Sequence, residues 1–370
     1  MFGVRDRKPH QKSGIVTRKR LLWVIAVTFA ISTGAGIGTG AAQTTARTTT
    51  SKTAKPAAKK PAPKRTARST TSAARARAAA NARETANTIL PRYKVDASGD
   101  LVPDLRAAAA IIYNPVTHEI LWEENSQSER SIASITKVMT AVVFLEQNVD
   151  PNQQVTIVRS DVFQASTTKL RANDKVTVDD LLHLLLIPSD NAAARALARI
   201  SPQGSAGFIA QMNAKAAAMG LTTTHYADPS GLLSDNVSSA YDMAQLIAYA
   251  SQDERISSIM RTPEYTVRTP KRSFTFRSTN QLLGKDEYDV RAAKTGFISK
   301  AGYCLATLLQ LPQGGQQVAV VVLGARSNAG RFLETQNLFS WLSNKASTIF
   351  ATQTPGVPAV AVGSGGGNQE

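Results

Sequence analysis

The sequence of 370 residues has only one cysteine, Cys304, so an intramolecular disulfide is impossible. Within the strand-like run around it, Cys304 is expected to be a small buried apolar residue. The four histidines lie far apart, at positions 10, 118, 183 and 225. No Cys/His spacing is typical of zinc ligands, and the sequence therefore predicts no metal site.

The chain also lacks a long apolar run near its start. The run at 21–31 has about 11 residues, fewer than the roughly 20 that a membrane-spanning helix needs. A basic segment precedes it, and small residues ending at Ala42 follow, which is the layout of an export signal. Residues 1–42 are therefore predicted to be a signal peptide or, if uncleaved, a membrane anchor. Either one places the protein in the periplasm or cell envelope.

Acidic residues are scarce in the first 92 positions, which contain 19 of the 43 Lys and Arg but only Asp6 and Glu84. The formal charge is +16, yet residues 93–370 hold 24 basic and 25 acidic side chains. Because the folded part is nearly neutral, the charge does not indicate a nucleic-acid-binding domain. Residues 43–92 lack aromatics and are rich in Ala, Thr, Pro and Lys, which predicts a disordered linker. This linker is either a solvated tether or a contact with a membrane or anionic wall polymers.

Residues 93–350 are long enough for one large domain, and 351–370 are expected to form a flexible tail. Residue patterns predict a hairpin over 106–123 and helices beginning at Ser134 and Thr177, the second with Asp180 at capping-box spacing. Further elements follow, namely helices at 192–200 and 208–218, strands at 290–297, 303–311 and 317–323, and a closing helix at 330–346. Strands at both ends of the domain predict an α/β (α+β) fold whose mostly antiparallel sheet is covered by a helical middle.

Three short strings carry the chemistry: Ser-Ile-Thr-Lys at 134–137, Ser-Asp-Asn at 189–191 and Lys-Thr-Gly at 294–296. Ser134 and Lys137 are three apart on a predicted helix, so their side chains can touch. A neutral lysine can deprotonate a serine nucleophile, provided that its pKa is lowered by desolvation or by a second cation. Lys294 is the candidate for that second cation. Order and spacing together predict a serine acyl-transfer site with a lysine base.

The remaining members of the strings have predicted roles around the nucleophile. One of the unpaired backbone N–H groups at the helix start marked by Ser134, together with the backbone N–H of Phe297, can stabilise an oxyanion. Ser189 can relay a proton to the leaving amine, and Asn191 can hold the lysine or the substrate amide. Lys294 and Thr295 can bind a terminal carboxylate.

The chain from about 105 to 342 resembles the low-molecular-mass penicillin-binding proteins, which are D-alanyl-D-alanine carboxypeptidases and endopeptidases. The resemblance extends to Met-Asn-Ala-Lys-Ala at 212–216, Asp-Pro-Ser-Gly-Leu at 228–232 and Ser-Ala-Tyr-Asp at 239–242. It implies the beta-lactamase/transpeptidase-like fold, peptidoglycan stem peptides as substrate, covalent inhibition by beta-lactam antibiotics, and no metal or organic cofactor. The implied roles are given residue by residue: Ser134 as nucleophile, Lys137 as base, Ser189 and Asn191 as second element, and Lys294, Thr295 and Gly296 as substrate strand.

Two features leave the cleaved bond open. Arg331 looks like the arginine that some carboxypeptidases aim at the substrate carboxylate, or it is a solvated residue on the closing helix. About 20 residues follow Ile349, where many carboxypeptidases of the family carry a second, all-strand domain. That difference and the short separation of Ser134 from Ser189 resemble the endopeptidase branch, whereas Arg331 and the string at 228–231 favour carboxypeptidases.

Three alternatives compete with this interpretation. A class A beta-lactamase needs a glutamate after Ser-Asp-Asn to activate the deacylating water, and none occurs between Asn191 and Asp253. A non-catalytic penicillin-sensing or wall-binding module would usually have lost part of the strings. A histidine-based triad is disfavoured, because His183 lies in a leucine-rich helix and His225 has no evident nucleophile.

Overall fold

The structure is a computed structural model that describes residues 90–312 and 315–351, with short stretches at 75–76, 78–79 and 82–83. The predicted export signal, most of the predicted linker and the tail beyond 351 lie outside the described residues. Within those ranges, none of the helices combines the length and the apolar character needed to cross a membrane.

Strands and helices occur in the order that the sequence patterns indicate, with several additional short elements. The strands are β1 (Tyr93–Val95), β2 (Leu101–Pro103), β3 (Ala109–Tyr113), β4 (Ile120–Glu124), β5 (Arg130–Ser131), β6 (Gln154–Thr156), β7 (Lys175–Thr177), β8 (Val237–Ser238), β9 (Glu264–Arg268), β10 (Ser273–Arg277), β11 (Asp289–Ile298), β12 (Gly302–Gln310) and β13 (Gln317–Ala325). The α-helices are α1 (Thr136–Leu145), α2 (Arg159–Val162), α3 (Val178–Leu186), α4 (Asn191–Ile200), α5 (Gly204–Ala218), α6 (Ala240–Ser251), α7 (Glu254–Arg261) and α8 (Asn328–Ala351).

The central sheet has five strands in the order β11-β12-β13-β3-β4, and every neighbouring pair is antiparallel. The predicted hairpin over 106–123 is confirmed as β3 and β4, which lie beside β13 from the far end of the domain. The sheet therefore combines both ends of the described domain, as predicted.

Both faces of the sheet are covered, which explains why β13 is apolar along nearly its whole length. Successive side chains of a strand point to opposite faces. Val321 packs into the core shared with the helical middle, whereas Val320 and Val322 pack into a second core with α8. Cys304 on β12 is fully buried in the first core, as its surroundings predicted.

The helical predictions are confirmed in type and differ in their ends. Thr177 caps α3, and the reciprocal bonds with Asp180 form the predicted capping box. Helix α5 begins four residues before the predicted 208, and α8 extends beyond the predicted 330–346. The sequence patterns did not predict α6 and α7, although Ser239 and Asp253 cap them.

Three elements converge to form the site. A 3₁₀ turn at Ala133–Ile135 leads into α1 and packs against β11, a strand that pairs only with β12 in the described sheet. The residues just before α4 approach the same place. A helix start thus lies beside a sheet edge, which is the arrangement predicted for the three strings.

Candidate active site

Ser134 lies within the 3₁₀ turn, one residue after Ala133, whose backbone has a φ of 50°. A positive φ is uncommon for a residue with a side chain and is frequent at functional sites. The turn places the Ser134 Oγ 2.8 Å from the Nζ of Lys137, one helical turn further on. The two side chains therefore meet as the three-residue spacing predicted.

Lys137 is fully buried and contacts two further fixed oxygens. Its Nζ donates to Oδ1 of Asn191 at 2.7 Å and to the backbone carbonyl of Ser230 at 2.5 Å. Burial is the main cause that lowers the pKa of Lys137 to about 7. Arg195 lowers it further, and Asp228 and Asp190 oppose the shift. Arg195 is thus one cation that lowers this pKa. Lys294 interacts with the same charge, since Lys137 in turn lowers the pKa of Lys294.

Lys294 has its own partners at the other end of the site. Its Nζ donates to the Ser189 Oγ at 2.7 Å and to the backbone oxygen of Thr295 at 2.8 Å. Burial holds the pKa of Lys294 well below its ordinary value, and the neighbouring Lys137 and Arg331 lower it further. Ser189 has a φ of 65°, so a second residue of the site adopts the left-handed conformation.

The Ser-Asp-Asn string is held in place by the start of α4. Asp190 accepts hydrogen bonds from the backbone N–H of Ala192 at 2.8 Å and of Ala193 at 3.0 Å, as an N-cap residue does. The Nδ2 of Asn191 donates to the carbonyl of Ala165 at 2.8 Å. Since that bond takes the amide nitrogen, the amide oxygen faces Lys137.

These side chains open onto a cleft of about 490 Å³. Its lining residues are Ser134, Ser166, Thr167, Pro188, Ser189, Asn191, Leu232, Thr279, Thr295, Gly296, Phe297, Ile298, Ser299 and Arg331. Among these described residues there is no carboxylate. The hydroxyls of Thr279 and Thr295 are 2.6 Å apart, and Phe297, half exposed at 49%, stacks on Tyr303.

Arg331 is buried, with 6% of its surface exposed, so the interpretation as a solvated residue on the closing helix is wrong. Its Nη1 donates to the carbonyl oxygens of Gly296 at 3.0 Å and Cys304 at 3.3 Å. Burial lowers the pKa of its guanidinium to about 10. Arg331 therefore supports the backbone of β11 from behind and also reaches the cleft wall.

Comparison with known proteins places this site in a family. The family model described as D-alanyl-D-alanine carboxypeptidase matches residues 96–327. The chain belongs to this family. It is 32% identical to the D-alanyl-D-alanine endopeptidases of Escherichia coli K12 and Pseudomonas aeruginosa, over 65% and 70% of this chain and 78% and 83% of theirs. The crystal structure of the Streptomyces K15 DD-transpeptidase is similar, with a TM-score of 0.60 and 30% identity over 65% of this chain and 97% of that one.

As a member of the D-alanyl-D-alanine carboxypeptidase family, the chain has the predicted beta-lactamase/transpeptidase-like fold and is a serine peptidase. The class A beta-lactamase alternative is not favoured, nor is a non-catalytic module. The described residues that line the cleft also argue against a class A beta-lactamase, because they include no carboxylate that could activate a deacylating water.

The family strings did not identify every group in contact with the reacting pair. The carbonyl of Ser230 accepts from Lys137 and lies 3.4 Å from the Ser134 Oγ. Thr279, which no string contains, lines the cleft and is hydrogen-bonded to the hydroxyl of Thr295. The Asp-Pro-Ser-Gly-Leu string at 228–232 contains Ser230, but sequence patterns concern side chains. They therefore did not indicate that the backbone carbonyl of this residue would contact Lys137.

The two candidate histidines lie elsewhere. His183 stacks on Tyr265 with ring centroids 4.0 Å apart and bonds the backbone of Asp179 through Nδ1. His225 forms a backbone bridge with Val237. Neither is among the described residues that line the cleft, and the basic side chain in contact with Ser134 is that of Lys137.

Proposed function

We propose that this serine DD-peptidase acylates Ser134 with the penultimate D-alanine of a peptidoglycan stem peptide. The observation that carries the proposal is the 2.8 Å contact between the Lys137 Nζ and the Ser134 Oγ in a buried site. Lys137 takes the hydroxyl proton as Oγ attacks the carbonyl carbon, the C–N bond breaks, and the amine leaves. Water then hydrolyses the ester and restores the serine.

The partners of Lys137 are compatible with a base, because none of the three oxygens in contact with its amine belongs to a carboxylate. A neutral amine has two N–H donors and one lone pair, and two oxygens other than Ser134 surround Nζ, from Asn191 and Ser230. If these two oxygens accept both N–H groups, the lone pair is directed at the Ser134 hydroxyl. The pKa of about 7 makes this neutral form available near neutral pH.

Ser189 supplies the proton to the leaving amine in this proposal. Its Oγ accepts a hydrogen bond from Lys294, so its own proton is free to point toward the cleft. The backbone N–H groups of Ser134 and Phe297 stabilise the oxyanion. A Cβ at Gly296 would lie 2.7 Å from the Ile132 carbonyl, so glycine allows β11 to approach the nucleophile turn this closely.

The bond cleaved is proposed to be the D-alanyl cross-link, which makes the enzyme an endopeptidase. The two endopeptidase relatives support this choice through their identity and their coverage. Arg331 favours the second candidate, a carboxypeptidase, because a guanidinium in the cleft wall can bind the terminal carboxylate of a stem peptide.

A fluorescent penicillin tests the acylation chemistry. The protein should label covalently and release the adduct slowly, and Ser134→Ala should not label. Labelling of Ser134→Ala, or rapid release of hydrolysed penicillin, would contradict the proposal. Mass spectrometry of digested muropeptides then identifies the bond: conversion of dimers to monomers indicates an endopeptidase, whereas loss of one terminal D-alanine indicates a carboxypeptidase.

We also propose that the protein is exported and works in the cell envelope. The basic composition of residues 1–92 supports a salt-sensitive contact of this region with a membrane or with anionic wall polymers. Elution of the protein from isolated envelopes as a function of salt concentration tests this contact.

A further inference from the structure

A tight turn at 228–231, named here the Asp228 turn, supplies one of the oxygens around the catalytic pair. The carbonyl of Ser230 accepts from the Nζ of Lys137 at 2.5 Å and lies 3.4 Å from the Ser134 Oγ. The orientation of the lysine lone pair therefore depends on where this backbone carbonyl is held. None of the three family strings contributes to that turn.

The carboxylate of Asp228 closes the turn on itself. One oxygen accepts from the backbone N–H of Gly231 at 2.9 Å and from the Nδ2 of Asn236, and the other accepts from the Ser230 Oγ. Asn236 is fully buried, and its own Oδ1 accepts from the backbone N–H groups of Ala227 at 3.2 Å and Asp228 at 3.4 Å. The carboxylate thus joins both sides of the turn.

The other side of the Asp228 turn rests against the nucleophile. Thr140 on α1 donates to the carbonyl of Pro229 at 2.7 Å. Gly231, with a φ of 78°, lies so close that a Cβ there would be 2.0 Å from the Ala133 carbonyl oxygen. A small movement of the turn would therefore move the Ser230 carbonyl relative to both Ser134 and Lys137.

We propose that Asp228 is a positioning residue for the acylation of Ser134, acting by holding the Ser230 carbonyl against the Lys137 amine. The inference rests on the proposed function, in which Lys137 is the base. Asp228 reaches the reaction only through this turn and through its charge.

The charge of Asp228 gives a readout that a purely structural role would not affect. The charged groups that act on Lys137 are Asp228 itself, Asp190 before α4, Arg195 on α4 and Lys294 on β11. Asp228 raises the pKa of Lys137 against the larger effect of burial. Its neutralisation should therefore lower the pKa of Lys137 and shift the acid limb of the acylation profile to lower pH.

Asp228→Asn in the full chain is the main variant, and the second-order rate of acylation by a fluorescent penicillin is measured against pH. Ser230→Ala removes one bond to the carboxylate and keeps its charge. Asp242→Asn is the matched control, because Asp242 is a buried carboxylate that fixes another loop, through the Thr223 N–H at 2.9 Å and the Thr224 hydroxyl at 2.7 Å.

We expect Asp228→Asn to lower the plateau rate about 10- to 100-fold, as small displacements of reacting groups do, and to shift the acid limb to lower pH. Ser230→Ala should lower the plateau of the acylation rate by a smaller factor and leave the pH of the acid limb unchanged. Asp242→Asn should change the melting temperature alone. Wild-type protein that does not label refutes the proposed function itself. Wild-type labelling with overlaid wild-type and Asp228→Asn profiles overturns the positioning role.

If Asp228→Asn does not fold, Ser230→Ala decides the question. A folded Ser230→Ala protein that acylates at the wild-type rate overturns the inference, and a reduced plateau with an unmoved limb supports it.

Discussion

At the scale of single residues, Lys137 shows how burial makes the neutral form of an ordinarily cationic side chain available near neutral pH. An ammonium loses its hydration on burial, which disfavours the charged form and lowers the pKa, here to about 7. Its partners Asn191 and Ser230 are neutral oxygens, so they orient the amine without the strong stabilisation of its cation that a contacting carboxylate would provide.

The pH dependence of acylation follows from this pKa. Below about pH 6 the ammonium dominates and the neutral fraction rises about tenfold per pH unit, so the acylation rate should rise likewise and level off above about pH 8. Lys137→Arg should abolish acylation, because a guanidinium stays protonated throughout. Stopped-flow labelling with a fluorescent penicillin measures the profile, and a flat profile from about pH 5 to 8 would contradict the lysine base.

The set of side chains that form the site was predictable from the sequence. Ser134, Lys137, Ser189, Asn191 and Lys294 lie together as the spacing of the strings indicated. The burial of Arg331 and the contribution of Arg195 to the lowered pKa of Lys137 were not predictable. Both depend on which distant elements pack around a side chain, and local sequence patterns do not contain that information.

At the scale of elements, the site depends on the contact between the Asp228 turn and the turn that contains Ser134. Gly231 adopts a φ of 78° against the Ala133 carbonyl. Gly220, with a φ of 71°, has no atom within 4 Å of the position that a Cβ would occupy. A side chain at Gly220 would introduce backbone strain alone, whereas a side chain at Gly231 would introduce both backbone strain and a steric clash.

Gly231→Ala should destabilise the domain more than Gly220→Ala. Backbone strain alone costs about 1 kcal/mol or slightly more at Gly220, whereas the clash at Gly231 should raise the loss above about 3 kcal/mol. Acylation should fall more than about 100-fold in Gly231→Ala, because the nucleophile turn must move. Denaturant unfolding and penicillin labelling measure the two effects.

Equal losses of stability in the two glycine variants, or wild-type acylation by folded Gly231→Ala, would contradict this account of the contact. Gly220→Ala should label at the wild-type rate.

Element types were largely predictable because periodicity and caps are local. The capping box of Thr177 and Asp180 formed as expected, and the late strands lie close to their predicted ranges. Helices α6 and α7 were missed although capping residues precede both. The pairing of β5 and β8 was also beyond prediction, because strands of two residues have no alternation that a sequence pattern could show.

At the scale of the whole molecule, the sheet unites the two ends of the described domain. Strand β13 is paired with β12 on one side and with β3 on the other, so the N-terminal hairpin completes a sheet that the C-terminal strands begin. At the edge of this sheet, β11 with Lys294 packs against the 3₁₀ turn that contains Ser134.

The charge asymmetry of the chain gives a prediction at the same scale. Residues 1–92 hold all of the excess positive charge. A variant that begins at Leu90 should acylate with penicillin at the wild-type rate, because the described site lies beyond that position. From isolated envelopes it should elute at lower salt than the full-length protein, since electrostatic attraction is screened within about 3 Å at 1 M salt.

Coincident elution of the two proteins would contradict a charge-based contact. A loss of labelling in the shorter protein would show instead that residues before Leu90 support the fold of the domain.

The sequence by itself determined the family and the class of enzyme, because the three strings are side-chain types at recognisable spacings. It also determined the class of fold, because hydrophobic periodicity and the order of strands and helices along the chain can be read from the sequence. Only the tertiary structure decided the contact of Lys137 with the Ser230 carbonyl, the burial of Arg331 and the part proposed for the Asp228 turn. Desolvation and the position of a backbone carbonyl arise from contacts between distant segments, and no single segment of the sequence encodes them.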